Sequence, residues 1–537
     1  MAGGDKPSLG DQMLPLLGSR SADFILRQAS AYVTGRLLRE GTEMWSRDPH
    51  VVGAAIDKVE RAWALSHDPA TAVQLATLYD RANRNDEALV VLRKAFRQWP
   101  ADPLVRHHAA ITLLRHGDPA DVRDFFDSVL KLDADDAFAS FFARLFDEYD
   151  GWVGQLAASM EAKRNGRQPF LISVPVWGQA YSGYFVRYLC ATLLSPNNLP
   201  VLAERHSVHI AIFTTEETEK ALRADPLFCR LGEYATIDFV HYAAELVNYG
   251  ASMRASYGDQ KVPFSDNSLA FYYQRNCKFA LMSCAHYVAL AAGRATDALV
   301  SCPVADMALN DGALPQMAAH MSEADAVLLH SVQLHGKVVR PILDQKFRRS
   351  DGVLQIPSEE CSRLVVEHLP EGNFADARLY LHPPLRIAWR VGKEGVLIHG
   401  NHYHPICLRP KAFAHPLRLS IDPIDSRFLD RSSLDVSRLY LVGDARIVGL
   451  SIDDDPILEP SESSMGTLSV PAFALWLWGY WGRLRGPLFR NPIRFGPVTP
   501  GQEWERAEAV AAPVVDAIVT QAARLEDGNK AAKSWRL

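Results

Sequence analysis

The spacing of apolar residues changes once along this chain, near residue 168, and that change limits the fold more than any other feature. From about residue 22 to residue 137, apolar residues recur every three or four positions, which is the spacing of one face of an α-helix. Residues 161–168 are polar, and beyond them short β-branched runs alternate with helical segments. The sequence therefore predicts an all-helical part and an α/β part joined by a linker.

The helical part contains a recurring unit. In residues 69–102 the small side chains of Ala76, Ala88 and Ala95 stand where two helices would approach each other closely. Small and apolar residues recur in phase about 34 residues later, and residues 35–68 form a weaker copy. This pattern resembles the tetratricopeptide repeat, with an unrelated helical bundle as the alternative. The resemblance implies stacked helix pairs that bind the acceptor or a protein partner.

The α/β part predicts a mostly parallel sheet that is covered by helices on both faces. The predicted strands are residues 170–176, 208–215, 234–240, 298–304 and 326–330. The predicted helices between them include residues 186–194, 216–224, 268–292 and 313–322. In such sheets the ligand binds beyond the carboxyl ends of the strands, so the residues that follow each strand are the first candidates for a site.

An acidic turn follows the predicted strand at residues 298–304. Asp306 and Asp311 come after the strand, and Gly312 is a turn residue. Carboxylates on a rigid support are suitable ligands for a hard cation that bridges to a diphosphate. The alternative for Asp311 is the N-cap of the next helix.

Three histidines cluster in residues 395–405, which we interpret as one strand. Alternation places His402 and His404 on one face and His399 on the other, unless Gly400 forms a bulge. The alternative is that the histidines are surface or stacking residues.

Two predicted strand ends and the acidic turn together resemble a glycosyltransferase of the GT-A type over residues 168–460. The first strand ends in Val174-Pro175-Val176-Trp177 and the second in Phe213-Thr214-Thr215-Glu216. The resemblance implies a nucleotide-sugar donor, an acceptor glycan or protein, and Mn²⁺ or Mg²⁺ on the diphosphate. The turn lacks a literal Asp-x-Asp, so a metal-independent enzyme stays open.

The resemblance also suggests roles for individual residues. The expected donor-binding residues are Pro175, Val176, Trp177, Thr214, Thr215, Glu216 and Arg409. The expected metal ligands are Asp306, His402 and His404, and the expected catalytic residues are Asp311 and Asp444. Two alternatives remain: a non-catalytic repeat adaptor with a degenerate transferase domain, and a metallohydrolase built on His402-Tyr403-His404.

Composition narrows the function classes. The net charge of -6 argues against a nucleic-acid-binding surface. The seven cysteines have no C-x-x-C spacing, which is typical of a reducing compartment, and no apolar stretch is long enough to span a membrane. We therefore expect a cytoplasmic protein, with contact at the inner face of a membrane as an alternative.

The predicted fold class is α+α/β, a helical repeat domain followed by a GT-A-like, mostly parallel α/β domain. The predicted divisions are a disordered N-terminus (1–21), the repeat domain (22–160), the transferase domain (168–460) and a C-terminal segment (461–537). That last segment is aromatic, then rich in arginine, and closes with an amphipathic helix near residues 503–525. Packing on the core is the favoured role of its aromatic stretch, with peripheral membrane contact as the alternative.

Overall fold

The computed structural model describes residues 52–534 with internal gaps. The residues outside the description within that range are 67, 259–267, 376–378, 381–385, 401–402, 414–418, 422–423, 425–427, 430–433, 444–445, 453–464, 467–469, 472, 475–476, 478–484 and 497–500. The chain divides into two compact units, one containing residues 1–117 with 525–537 and the other residues 118–524.

The first unit is a repeat-like series of helices: α1 (Val52–Ser66), α2 (Pro69–Arg81), α3 (Asn85–Gln98) and α4 (Pro103–His116). An aspartate followed by proline starts two of them. The Asp68 carboxylate accepts a hydrogen bond from the backbone N–H of Thr71 (2.9 Å), and Asp102 caps α4 in the same way. The alanines that the sequence placed at close helix contacts are buried, which agrees with helix packing through small residues.

The second unit begins with two more helices and then alternates strands and helices. The helices before the sheet are α5 (Pro119–Leu132) and α6 (Ala137–Ala162). Up to the fourth strand there follow β1 (Gln168–Pro175), α7 (Gln179–Tyr184), a π-helical turn (Phe185–Cys190), α8 (Ala191–Leu193), α9 (Leu199–Arg205), β2 (His206–Thr214), α10 (Glu216–Arg223), α11 (Pro226–Cys229), β3 (Thr236–His241), α12 (Ala244–Val247), α13 (Tyr249–Tyr257), α14 (Leu269–Thr296) and β4 (Leu299–Ser301).

The remaining elements lie in the same unit, except that the last helix extends beyond residue 524, where the unit ends. They are β5 (Met307–Leu309), α15 (Ala313–His320), β6 (Ala326–Gln333), α16 (Gly336–Lys346), α17 (Ser358–His368), β7 (Leu379–Tyr380), β8 (Ile387–Val391), β9 (Gly395–His399), β10 (Tyr403–Leu408), β11 (Leu439–Leu441), β12 (Gly449–Ser451), β13 (Met465–Gly466), α18 (Arg485–Arg490), β14 (Ile493–Phe495) and α19 (Gln502–Ser534).

The main sheet has nine strands within the described part of the chain. Their order is β3-β2-β1-β4-β10-β6-β12-β5. β11 also pairs with β6, at residues 326–328, whereas β12 pairs with residues 331–333 of that strand. β1, β2, β3, β4, β6, β11 and β12 run parallel to one another, whereas β10 and β5 run antiparallel to their neighbours. The prediction of an α/β domain is therefore confirmed, with a main sheet that mixes parallel and antiparallel pairs.

Helix α6 belongs to the sheet-containing unit, although the sequence prediction grouped it with the repeats. The Phe138 ring stacks on Tyr273 of α14 at 4.2 Å between centroids. The Tyr149 hydroxyl donates a hydrogen bond to the Tyr287 carbonyl of the same helix (3.1 Å). In the structure the boundary between the compact units lies after Gly117 rather than near residue 160.

Residues 395–405 form parts of two strands rather than one. β9 pairs with β8 and β14 in a separate antiparallel sheet, and β10 lies between β4 and β6 in the main sheet. Gly400 follows β9 with φ 64°, and a Cβ there would come within 2.4 Å of the Phe489 ring. Because the chain changes sheets between His399 and Tyr403, the alternation that related the three histidines does not apply.

The described pieces of the C-terminal segment pack on the core. Leu488, Phe489 and Phe495 are at most 2% exposed. The final helix covers the predicted residues 503–525 and extends beyond them. Among the helices in the described ranges, none is both long and apolar enough to cross a bilayer.

Candidate functional site

The ends of β1 and β2 bring the first two predicted donor-binding turns side by side. The parallel register pairs Pro175 with Phe213, and the Val176 N–H donates to the Phe213 carbonyl (2.9 Å). Trp177 is half-buried and lies edge-to-face with Tyr242, with ring centroids 5.8 Å apart. Residues 175–177 and 214–216 therefore lie at one edge of the sheet.

The turn after β2 is shaped by three threonines. Thr214 is fully buried, and its hydroxyl has no hydrogen-bond partner among the residues the structure describes. Thr215 is the N-cap of α10 and accepts from the Thr218 N–H (3.2 Å). The Gly178 N–H donates to the Thr218 hydroxyl (3.4 Å), which links the two turns, and Glu216 is exposed in the first turn of α10.

Asp306 lies at the same edge, in the turn between β4 and β5. Its side chain is only 7% exposed, and it accepts a hydrogen bond from the Ser451 hydroxyl (3.4 Å). Its carbonyl accepts from the Ile452 N–H (3.2 Å). Since Ser451 pairs with Gln333, the last residue of β6, this turn stands at the carboxyl end of that strand.

The expected metal ligands are only partly within the described residues. Within the described ranges, no three His, Cys, Asp or Glu side chains come together to hold a metal ion. His402 and Asp444 lie outside the described residues. The backbone of His404 pairs with Leu329, and its side chain is outside the description. Mn²⁺ or Mg²⁺ remains a prediction.

Asp311, expected to be catalytic, accepts four hydrogen bonds. Oδ1 accepts from the Ser195 hydroxyl (2.5 Å) and the Asn197 N–H (3.0 Å), and Oδ2 accepts from the side-chain amides of Asn197 (2.8 Å) and Gln355 (2.9 Å). Burial raises the pKa of Asp311, but the bonds from Ser195, Gln355 and Asn197 lower it, and the net pKa is below the usual value. A carboxylate with this many donors ties three segments together and is poorly placed to take a proton.

Arg409, expected to bind a donor phosphate, lies at the opposite edge of the sheet. The preceding residue, Leu408, pairs with Ala326, the first residue of β6. The Arg409 guanidinium forms an ion pair with Asp325 (3.4 Å) and donates to the Met321 carbonyl. Arg409 therefore does not join the strand-end turns, because β10 runs antiparallel and carries it towards the amino ends of the parallel strands.

Four residues that sequence analysis did not select form a continuous contact chain at the carboxyl edge. The Lys278 ammonium lies 5.5 Å from the centroid of the Tyr181 ring, and the Tyr181 and Tyr184 rings lie 6.2 Å apart at 86°. The Arg340 guanidinium lies 4.9 Å from the centroid of Tyr184 and donates to the Ile452 carbonyl (3.4 Å). We call Lys278, Tyr181, Tyr184 and Arg340 the edge row.

Helix geometry explains why Lys278 reaches this edge. α14 leads into β4, so it runs back across the sheet from the carboxyl edge to the amino edge. At 1.5 Å per residue, Lys278 stands about 27 Å before the end of α14, roughly the length of β1. A lysine within an otherwise largely apolar stretch of a long helix was the one sequence signal that pointed to it.

Comparisons with known proteins add little. No family model matches the chain, and no curated protein matches it. Among solved structures, the chain is similar to a mutant O-GlcNAc transferase of Thermobaculum terrenum, with 14% identity and a TM-score of 0.19. The similarity covers 42% of this chain and 44% of that one, so the chain spans less than half of that protein's length. A similarity of this size does not indicate a function.

Proposed function

We propose that the protein is a glycosyltransferase that moves a sugar from a nucleotide-sugar donor to a glycan or protein acceptor. The observation that carries the proposal is the grouping of the two strand-end turns, residues 175–177 and 214–216, with Asp306 at one edge of a mostly parallel sheet. Ligands of open α/β sheets bind at this edge. The turns offer the half-buried Trp177 ring and the exposed Glu216 carboxylate as contacts for a nucleoside.

The proposed reaction exchanges one bond at the sugar. The bond from the anomeric carbon to the donor phosphate oxygen breaks, and its electron pair leaves with the nucleotide. The acceptor oxygen bonds to the anomeric carbon, and its proton passes to a phosphate oxygen of the departing nucleotide. In this scheme Asp306 accepts a hydrogen bond from a substrate hydroxyl at the reacting end.

A panel of UDP-, GDP- and CMP-linked sugars tests the proposal by thermal shift, with and without Mn²⁺. A donor at about one hundred times its Kd stabilises the native state by about 2.7 kcal/mol, which raises the Tm measurably. The donor that binds is then assayed for hydrolysis and transfer. If no donor shifts the Tm and none is hydrolysed, the chain is better explained as a non-catalytic adaptor.

Asp306→Asn gives the matching activity test. The substitution removes a charge but little volume, so we expect folding to survive and turnover to fall at least about a hundredfold. Glu217→Gln is the control, because Glu217 is exposed on α10. Full activity of Asp306→Asn would remove this residue from the site.

A further inference from the structure

On the basis of the proposed function, we propose that the edge row binds the diphosphate of the donor. Lys278 and Arg340 then supply the positive charge that a divalent cation supplies in the metal-dependent scheme. The row crosses the edge at which the strand-end turns and Asp306 lie, and its two cations come from different helices, α14 and α16.

The charge of Lys278 is held in place without being neutralised. Its ammonium faces the Tyr181 ring, and no carboxylate within the described part of the chain forms an ion pair with it. A ring face attracts a cation through its quadrupole and leaves the net charge unchanged. Other cations nearby are arranged differently, since Arg187 and Arg348 share Asp344. Lys278 is therefore suited to attract an anion.

Arg340 contributes a planar donor group at the other end of the row. Its guanidinium lies over the Tyr184 ring, and its Nη1 donates to the Ile452 carbonyl. A guanidinium can bind two phosphate oxygens in parallel, which a lysine cannot do. Because it follows β6 on α16, Arg340 stands where the carboxyl end of that strand opens towards a ligand.

The order of contacts along the row gives the donor a direction. At the Lys278 end, the Tyr242 hydroxyl donates to the Leu281 carbonyl of α14 (2.7 Å), and the Tyr242 ring meets Trp177. At the Arg340 end, Ile452 links the row to the backbone of Asp306. A diphosphate along the row therefore has its nucleoside near Trp177 and its sugar near Asp306, which is the order that transfer requires.

The test is calorimetric titration of the full-length protein in excess chelator. The ligands are UDP, GDP, CDP and ADP, the corresponding nucleosides, and inorganic pyrophosphate. We expect the wild type to bind one nucleoside diphosphate without added metal. Lys278→Met should weaken the binding of that nucleoside diphosphate and of pyrophosphate roughly tenfold, which corresponds to the loss of one charge-assisted hydrogen bond. Binding of the nucleoside should not change. Lys346→Met is the matched control, because Lys346 is exposed at the end of α16 and outside the row.

A second pair of variants tests whether the Tyr181 ring positions Lys278. Tyr181 is 40% exposed, so neither Tyr181→Phe nor Tyr181→Leu should disturb the fold. Tyr181→Phe keeps the ring face and should bind diphosphate like the wild type. Tyr181→Leu removes the face that positions Lys278 and should weaken diphosphate binding several-fold.

The outcomes separate the two proposals. Diphosphate binding that is equal in Lys278→Met and Lys346→Met contradicts the edge row and leaves the transferase proposal standing. If chelator abolishes diphosphate binding by the wild type, the edge-row proposal is also contradicted, because a metal ion then supplies the positive charge. A wild type that binds no nucleotide with or without metal contradicts the proposed function, and the row proposal falls with it.

Discussion

Asp306 and Asp311 are close in sequence, yet their carboxylates have different surroundings. The Asp306 side chain accepts from the Ser451 hydroxyl, whereas the Asp311 carboxylate accepts four hydrogen bonds from Ser195, Asn197 and Gln355. A carboxylate has about four acceptor sites, so these donors occupy most of the capacity of Asp311. These hydrogen bonds favour a structural role for Asp311.

We expect Asp311→Asn to lower the free energy of unfolding by roughly 1–3 kcal/mol at neutral pH, because an amide nitrogen would face hydrogen-bond donors that the carboxylate now satisfies. Chemical denaturation of the variant and the wild type measures the loss. Glu217→Gln, on the exposed face of α10, should change stability by less than about 0.5 kcal/mol.

The difference in unfolding free energy between the wild type and Asp311→Asn should become smaller as the pH falls. The folded pKa of Asp311 lies below its ordinary value of 3.8, so the carboxylate stabilises the fold fully above that value. As the pH falls below 3.8 towards the folded pKa, the contribution disappears and the two proteins should converge in stability. A difference that grew on acidification would contradict the hydrogen-bond explanation.

At the scale of elements, the packing of α14 on β4 depends on a glycine. A Cβ at Gly293 would lie 2.4 Å from Cγ2 of Val300 and 3.3 Å from Cγ of Pro410. Gly293 is buried, as are the neighbouring strand residues. The helix that carries Lys278 towards the carboxyl edge therefore approaches the sheet more closely than any other residue type would permit.

Gly293→Ala should destabilise the protein by about 1–3 kcal/mol, because overpacking against Val300 exceeds the roughly 1 kcal/mol that alanine gains in a helix. Gly154→Ala is the matched control. Gly154 lies in α6, and a methyl group there would meet no atom within 4 Å apart from its chain neighbours and the adjacent backbone of its own helix, so the helix propensity alone should stabilise the variant. Thermal unfolding of both variants should show Tm changes of opposite sign.

At the scale of the whole molecule, α6 is part of the sheet-containing unit. Ser159 donates to Asp238 of β3 (2.5 Å), and Trp152 meets Tyr242 edge-to-face at 5.6 Å. Together with the contacts of Phe138 and Tyr149 to α14, these make α6 one cover of the sheet. These contacts agree with the division after Gly117, which places α6 in the same unit as the sheet.

A truncated chain that starts at Asp118 should fold, whereas one that starts at Lys163 should be insoluble or molten, since it exposes the apolar surface that α6 covers. Expression yield and cooperative thermal unfolding distinguish the two. If the repeats present the acceptor, the chain that starts at Asp118 should still hydrolyse the donor but transfer poorly to the natural acceptor. Equal loss of both activities would indicate a purely structural role for the repeats.

Elements with local signals can be located from the order of residues alone. α14 begins after Ser268, whose side chain accepts from the Phe271 N–H (3.2 Å), as the prediction of a helix from residue 268 required. β2 and α10 meet at the Thr215 cap within a residue of the predicted boundary. Caps and apolar periodicity act over a few residues, so one sequence is enough to locate them.

Which side chains share a site depends on how the distant parts of the chain pack. β10 runs antiparallel and carries Arg409 to the amino edge, and residues 395–405 divide between two sheets. The edge row joins Tyr181 and Tyr184 to Lys278 and Arg340 on helices far apart in the chain. Strand direction, strand order and contacts between distant helices depend on how the whole domain packs, and no local pattern of residues encodes them.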